Sequence, residues 1–149
     1  MLKHAFIRSC SCLFVGLFPY TAMSAETVEL TQTGCQFVQP EGIDHQFHTV
    51  SARDCEAVNE RTGAVRLKES DVMHLKAGDY IFRVKNKNVP YELGFWLRGA
   101  GLRRLTLPSV SGGGISTGAS RDYAITLEPG EYRYSCPLNP TPDYSLIVE

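Results

Sequence analysis

The strongest constraint on this chain is an alternation of polarity at period two, interrupted at short intervals by glycine and proline. In "DVMHLKAGDYIFRVKN" the residues Tyr80, Phe82 and Val84 fall on one side of an extended chain and Arg83 and Lys85 on the other, after a turn at "KAGD". "VPYELGFWL" places Tyr91, Leu93, Phe95 and Leu97 on one face, with Trp96 on the face opposite Phe95. "RDYAITLEPGEYRYSC" holds two further alternating runs across "EPGE", "YSLIV" resumes the pattern at the end, and "TVELTQ" begins it weakly. Short strands of this kind, separated by turn residues, bury their apolar faces by stacking into a sandwich or closing into a barrel. The chain therefore reads as all-β. No fixed-period repeat and no linker divides it.

Two segments depart from the alternation. "SARDCEAVNERTG" carries Ser51 and Asp54 at capping-box spacing and a glycine stop at Gly63, which predicts a short helical insert over residues 52–62. "LPSVSGGGISTGAS" is too rich in Gly and Ser for a strand interior, so Gly112 to Gly114 are expected in a flexible crossover loop. Three glycines resemble a phosphate cradle only superficially. No Lys-Ser/Thr pair and no helix follows them, and a nucleotide site is not expected.

The first 25 residues have the pattern of a secretory signal peptide. Lys3 and Arg8 precede an apolar run from Cys12 to Tyr20, and small residues follow at Ala22, Ser24 and Ala25. The run is far shorter than the ~20 residues of a membrane span, so the expectation is a periplasmic or secreted, soluble product with a domain at 26–149. Of 15 basic side chains, removal of Lys3 and Arg8 leaves 13 against 16 acidic ones. That balance suggests neither nucleic acid nor an anionic membrane as partner. Three cysteines remain, Cys35, Cys55 and Cys136, and an odd number leaves one over. Cys35–Cys55 is the leading pair. It would close a 19-residue segment, contribute about 3 kcal/mol and leave Cys136 free. Cys35–Cys136 and Cys55–Cys136 remain open.

The order of signals from about residue 70 onward resembles the cupredoxins. "LKAGDYIFRVKNKNVPYELGF" is similar to their central strand–turn–strand stretch, and "ITLEPGEYRYSC" to the C-terminal hairpin that delivers the copper-binding cysteine. The resemblance implies a cupredoxin-like Greek-key β-sandwich. Among subfamilies it is nearest to the cupredoxin-like domain of periplasmic iron-uptake proteins, which implies a Cys35–Cys136 link between first and last strands. Carried over by position, the thiolate falls on Cys136, the two imidazoles on Tyr91 and Asn139, and the axial methionine on Tyr144. A blue-copper site needs one thiolate, two imidazoles and a weak axial ligand. The sulfur donor is kept; the imidazoles and the methionine are missing.

What remains for a metal is an oxygen-rich set. The iron-uptake relatives use acidic side chains, and by that resemblance Cys136, Glu92 and Asp143 could hold copper, or iron, in a non-blue site. Against this, neighbours on a strand face opposite ways, so Glu92 points out wherever Tyr91 points in. His45 and His48 read as solvated residues, and His74 as a partly buried or edge histidine. No catalytic constellation emerges, so the chain is not expected to be an enzyme. The sequence thus supports an exported metal-binding accessory or carrier in metal handling or electron transport. The alternative is a metal-free scaffold in which Tyr91, Asn139 and Tyr144 fill the old site while a surface binds another periplasmic protein. An exposed aromatic, Phe95 or Trp96, beside Arg98, Arg103 and Arg104 would suit such a contact, although "RGAGLRR" otherwise reads as a solvated loop.

Overall fold

A computed structural model of the protein describes residues 24–149. The signal-peptide expectation for residues 1–25 falls, up to residue 23, outside the described residues. Among the described residues no helix is long and apolar enough to cross a membrane.

Among the described residues nine strands form two sheets. The first sheet orders β2 (Gln36–Phe37), β1 (Glu26–Thr33), β4 (Gly78–Asn86) and β7 (Ser120–Leu127). The second orders β3 (Met73–Leu75), β9 (Tyr144–Val148), β8 (Gly130–Ser135), β5 (Leu93–Gly99) and β6 (Val110–Ile115). β1 runs parallel to β4, and β3 parallel to β9; the other pairings are antiparallel. The alternation decides which side chains meet between the sheets. Tyr80, Phe82 and Val84 of β4 are buried, as are Leu93, Phe95 and Leu97 of β5, while Arg83 and Lys85 face water. Phe37, Phe95, Tyr134 and Tyr144 pack as an aromatic centre, with Phe37 edge-on to the other three at 5.5 to 6.1 Å between ring centroids. The fold is a β-sandwich, as the pattern predicts.

The insert is longer than expected. α1 (Val38–Glu41) is a single turn, and α2 runs Ala52–Glu69, past the glycine expected to stop it. Asp54 caps its start: its carboxylate accepts the N–H groups of Val50 at 2.8 Å and Ser51 at 2.9 Å. A glycine inside a helix costs about 1 kcal/mol relative to alanine, yet the helix continues past Gly63, and its last turn delivers Arg66 to a buried carboxylate. Arg66 gives two hydrogen bonds to Glu41, at 2.9 and 2.7 Å, and a third to the Cys35 carbonyl at 3.0 Å. The inward face of α2 is thus Cys55, Asn59, Thr62 and Arg66, spaced 4, 3 and 4. This helix is docked by a disulfide and polar bonds, and its residues are absent from the hydrophobic core.

The glycine-rich stretch also differs from expectation, since residues 110–115 form strand β6 against β5, with Phe95 opposite Gly112. A Cβ on Gly94 would lie 2.8 Å from the Gly112 carbonyl oxygen, and one on Gly112 would lie 3.1 Å from the Tyr123 ring. The strands approach here only because side chains are missing. Without side chains there is no polarity alternation to read, so the sequence conceals the strand.

Candidate functional site at the Cys136 loop

β8 ends at Ser135, and Cys136 opens the loop to β9. The loop folds back on the sulfur: Cys136 Sγ accepts the N–H of Asn139 at 3.3 Å and the N–H of Gly94, at the start of β5, at 3.3 Å. The Cys136 N–H donates to Thr141 Oγ1 at 3.1 Å. The thiol is buried and unpaired, whereas Cys35 and Cys55 form a disulfide. The leading pair is therefore the one formed, and the first-to-last-strand link implied by the iron-uptake resemblance is not. Burial pushes the Cys136 thiol above its ordinary pKa. The N–H groups of Gly94, Asn139 and Leu138 and the Gln32 side chain pull it down without overcoming that.

Tyr91 and Asn139, at the two imidazole positions, meet each other. The Tyr91 hydroxyl donates to Asn139 Oδ1 at 3.2 Å, and the Cys35 N–H donates to the same oxygen at 3.0 Å. Asn139 Nδ2 donates to the Thr33 carbonyl at 2.9 Å and reaches Gln32 Oε1 at 3.5 Å. Gln32 Nε2 in turn donates to the Gly94 carbonyl at 2.8 Å. Asn139 is wholly buried, with α2 against it: Asn59 donates to the Pro140 carbonyl, and Cys55 Sγ lies 3.1 Å from Asn139 Oδ1. That sulfur is bonded to Cys35 and has no proton to donate. Burial raises the Tyr91 pKa, so this phenol stays neutral.

Tyr144, at the methionine position, turns elsewhere. Its hydroxyl donates to Glu41, and the Phe37 N–H donates to it at 3.4 Å. Glu41 also lies 2.8 Å from His45 Nε2 and binds the Arg66 guanidinium; His45 is exposed, as expected, and in addition touches this carboxylate. Asp143 is held by Arg98 at 2.7 Å. Glu92, His48 and His74 are exposed. Among the described residues no group of three His, Cys, Asp or Glu side chains is placed to hold a metal ion, and Cys136, Glu92 and Asp143 are not brought together.

Sequence reasoning missed Gln32, Thr33, Glu41, Asn59 and Arg66. The helix members carried a signal, since Cys55, Asn59, Thr62 and Arg66 share one helical face once the helix is extended past Gly63. Gln32 and Thr33 carried none.

A second feature lies beside the loop on the outer face of the second sheet. Trp96, 38% exposed, has the Arg98 guanidinium carbon 4.0 Å from its ring centroid. Arg98 is fixed by Asp143 and by Ser135 Oγ at 3.0 Å. Across β5 the indole faces Ser111 on one side and Ser135 on the other. A shallow, mainly apolar groove lies between Trp96, Gly112, Gly113, Pro137 and Leu138, with Gly94 at its floor.

The architecture is the cupredoxin sandwich. The chain is similar in structure to auracyanin B, with a TM-score of 0.53 and 14% identity over 87% of this chain and 92% of that one. It also matches amicyanin from Paracoccus versutus, at a TM-score of 0.44 and 17% identity over 86% of each chain. An oxidised point variant of amicyanin matches at 0.44 and 14%, over 87% of each. No protein-family model matches the chain, and no curated protein does. At these identities the likeness shows the fold.

The residues at this corner do not fit a blue-copper centre. Neutral imidazole nitrogens suit copper well, and an amide oxygen and a neutral phenol do not replace them. Asn139 Oδ1 is already taken by two protein donors, and its NH2 group by Thr33 and Gln32.

Proposed function

We propose that this is an exported cupredoxin scaffold that works without metal and binds another protein through the sheet face around Trp96. The observation that carries the reading is Asn139, whose amide spends its hydrogen bonds joining β1, Tyr91 and the last loop. The position that would feed a metal instead serves as a structural rivet. The outward residue of the same region is Trp96, a rigid aromatic backed by Arg98. Exposed Trp with Arg is the pairing favoured at interface centres, and Trp96 lies beside an apolar groove. The disulfide suits an oxidising compartment, in line with the signal-peptide pattern. No catalytic role is assigned.

Site-specific photocrosslinking in the exporting cell tests this. A photoreactive residue in place of Leu138 is expected to trap one defined protein, and trapping should fade when Trp96→Ser is added. The same probe in place of Arg83, on the opposite sheet, should not trap it. Equal products from both positions would refute the reading.

One observation favours a second reading, a non-blue metal centre at Cys136 completed by Glu92 and Asp143. Two N–H groups point at the sulfur, an arrangement that stabilises a thiolate ligand. It requires Asp143 to leave Arg98. Metal analysis of protein purified from a copper-replete cell, beside Cys136→Ser, separates the two. Stoichiometric metal lost in the variant supports the centre, and a metal-free wild type supports the scaffold.

A further inference from the structure

After β5 the chain folds into a single 3-10 turn, Gly101–Leu105, of sequence GLRRL. Leu102 is 85% exposed and Leu105 79%. Residues three apart eclipse on such a turn, so both leucines leave it on one side. The backbone beneath them is pinned. The Ala100 N–H donates to the Glu131 carbonyl at 2.8 Å, and the Thr106 and Leu107 N–H groups donate to the Arg103 carbonyl at 3.1 and 2.9 Å. A Cβ on Gly99 would lie 2.5 Å from the Arg103 carbonyl oxygen, so the turn folds against the strand end only over a glycine. Leu107, two residues past the turn, is buried. An anchored turn thus holds two leucines out in water, where each forgoes the gain of burial. Arg103 and Arg104 between them are exposed. The ion pairs among the described residues engage neither arginine.

We propose that this tip is a peripheral membrane contact: Leu102 and Leu105 enter the headgroup boundary of an anionic bilayer while Arg103 and Arg104 meet its phosphates. The contact lies apart from the Trp96 face and is independent of the scaffold reading.

Two observations select lipid as the occupant. The first is charge. Without Lys3 and Arg8 the chain carries 13 basic against 16 acidic side chains, and Glu128 and Glu131 are exposed in the neighbouring turn, so the attraction is local. It acts because both arginines sit between the leucines and reach whatever surface the leucines touch. A short apolar insertion combined with basic side chains supplies the two signals that reversible membrane binding needs. The second is the direction of the chain. Glu26 opens β1 opposite Tyr80, Gly78 of β4 pairs with Leu127, and a tight connection from Leu127 leads into β8, where Tyr132 pairs with Gly99. The start of β1 and the 3-10 turn therefore share one end of the sandwich. The sequence ahead of Glu26, with its apolar run from Cys12 to Tyr20, joins the sandwich at that end. On the signal-peptide reading, this is the end that faces the bilayer during export.

Co-sedimentation of the exported chain with vesicles tests this. Vesicles of equal parts phosphatidylglycerol and phosphatidylcholine should bind it and vesicles of phosphatidylcholine alone should not, with binding that weakens as salt is added. Arg103→Gln with Arg104→Gln should cost about fivefold in partitioning for each arginine. Leu102→Ser with Leu105→Ser should cost about tenfold or more; both side chains are exposed, so the sandwich persists in this variant. Fluorescence locates the contact, because Trp96 is the one tryptophan of the chain. Wild-type emission should stay unchanged on the anionic vesicles, whereas Leu105→Trp should add a blue-shifted component. A blue shift of the wild type would put the sheet face against lipid and overturn the assignment to the tip. Equal binding by the leucine variant, or equal binding to the neutral vesicles, would also overturn it. So would absence of vesicle binding together with a photoreactive residue at Leu105 that traps a protein, which would give the tip to a protein partner.

Discussion

Asn139 is a buried amide that ties the last loop to β1 and Tyr91. At a position where the cupredoxin resemblance implies an imidazole, an amide offers two acceptor sites and two donors, and all are engaged within the protein. Asn139→Ala is expected to cost about 1–3 kcal/mol for each buried group it orphans, read as a lower urea midpoint. Tyr134 is the opposite case. Its hydroxyl is buried with no partner, so Tyr134→Phe should leave thermal stability unchanged or raise it; a fall in Tm above about 1 kcal/mol equivalent would show that the hydroxyl has a partner. Cys136 and Tyr134 also set an alkaline limit, since burial raises the pKa of both. An acid with a raised folded pKa stabilises the fold below its unfolded value, about 8.5 for Cys and 10 for Tyr. That contribution is lost as pH rises toward the folded value, because the unfolded chain releases its proton first. Melting temperature should therefore decline above about pH 8.5, and Cys136→Ala should flatten the first part of the decline.

Among the elements, α2 owes its place to bonds rather than to an apolar stripe. Arg66 and Glu41 are a buried ion pair, with side chains 6% and 2% exposed. Removing one partner strands the other charge, so Arg66→Ala should cost about 3–5 kcal/mol. Glu41→Leu with Arg66→Met should recover much of the loss. Urea denaturation of the single and double variants measures both. At the β5–β6 contact, Gly94→Ala would push a methyl to 2.8 Å from a backbone oxygen, and a clear loss of stability is expected, read by the same denaturation. The strands that alternate were legible in the sequence because burial imposes the alternation; Tyr80, Phe82, Val84, Leu93, Phe95 and Leu97 all face the core. The meeting of Tyr91 with Asn139 beside Cys136 was legible only through the cupredoxin resemblance, which puts the three at ligand positions. β6 was not, since glycines carry no polarity. Nor was the direction of Tyr144, which depends on a carboxylate more than a hundred residues earlier in the chain.

At the scale of the whole molecule, the sandwich keeps the cupredoxin layout seen in auracyanin B while the insert closes one end of it. The helix covers the Asn139 side of the loop, and the face left open is that of Trp96, Pro137 and Leu138. The sandwich thus presents a packed, hydrogen-bonded corner and an aromatic surface beside it. The most direct measurement is the visible spectrum and metal content of the purified, air-oxidised protein after addition of Cu(II) and removal of excess ion. The account predicts no intense thiolate-to-copper band and no retained copper. An intense blue colour with one copper per chain would contradict it, because Asn139 and Tyr91 would then have to release their partners to make room for the ion.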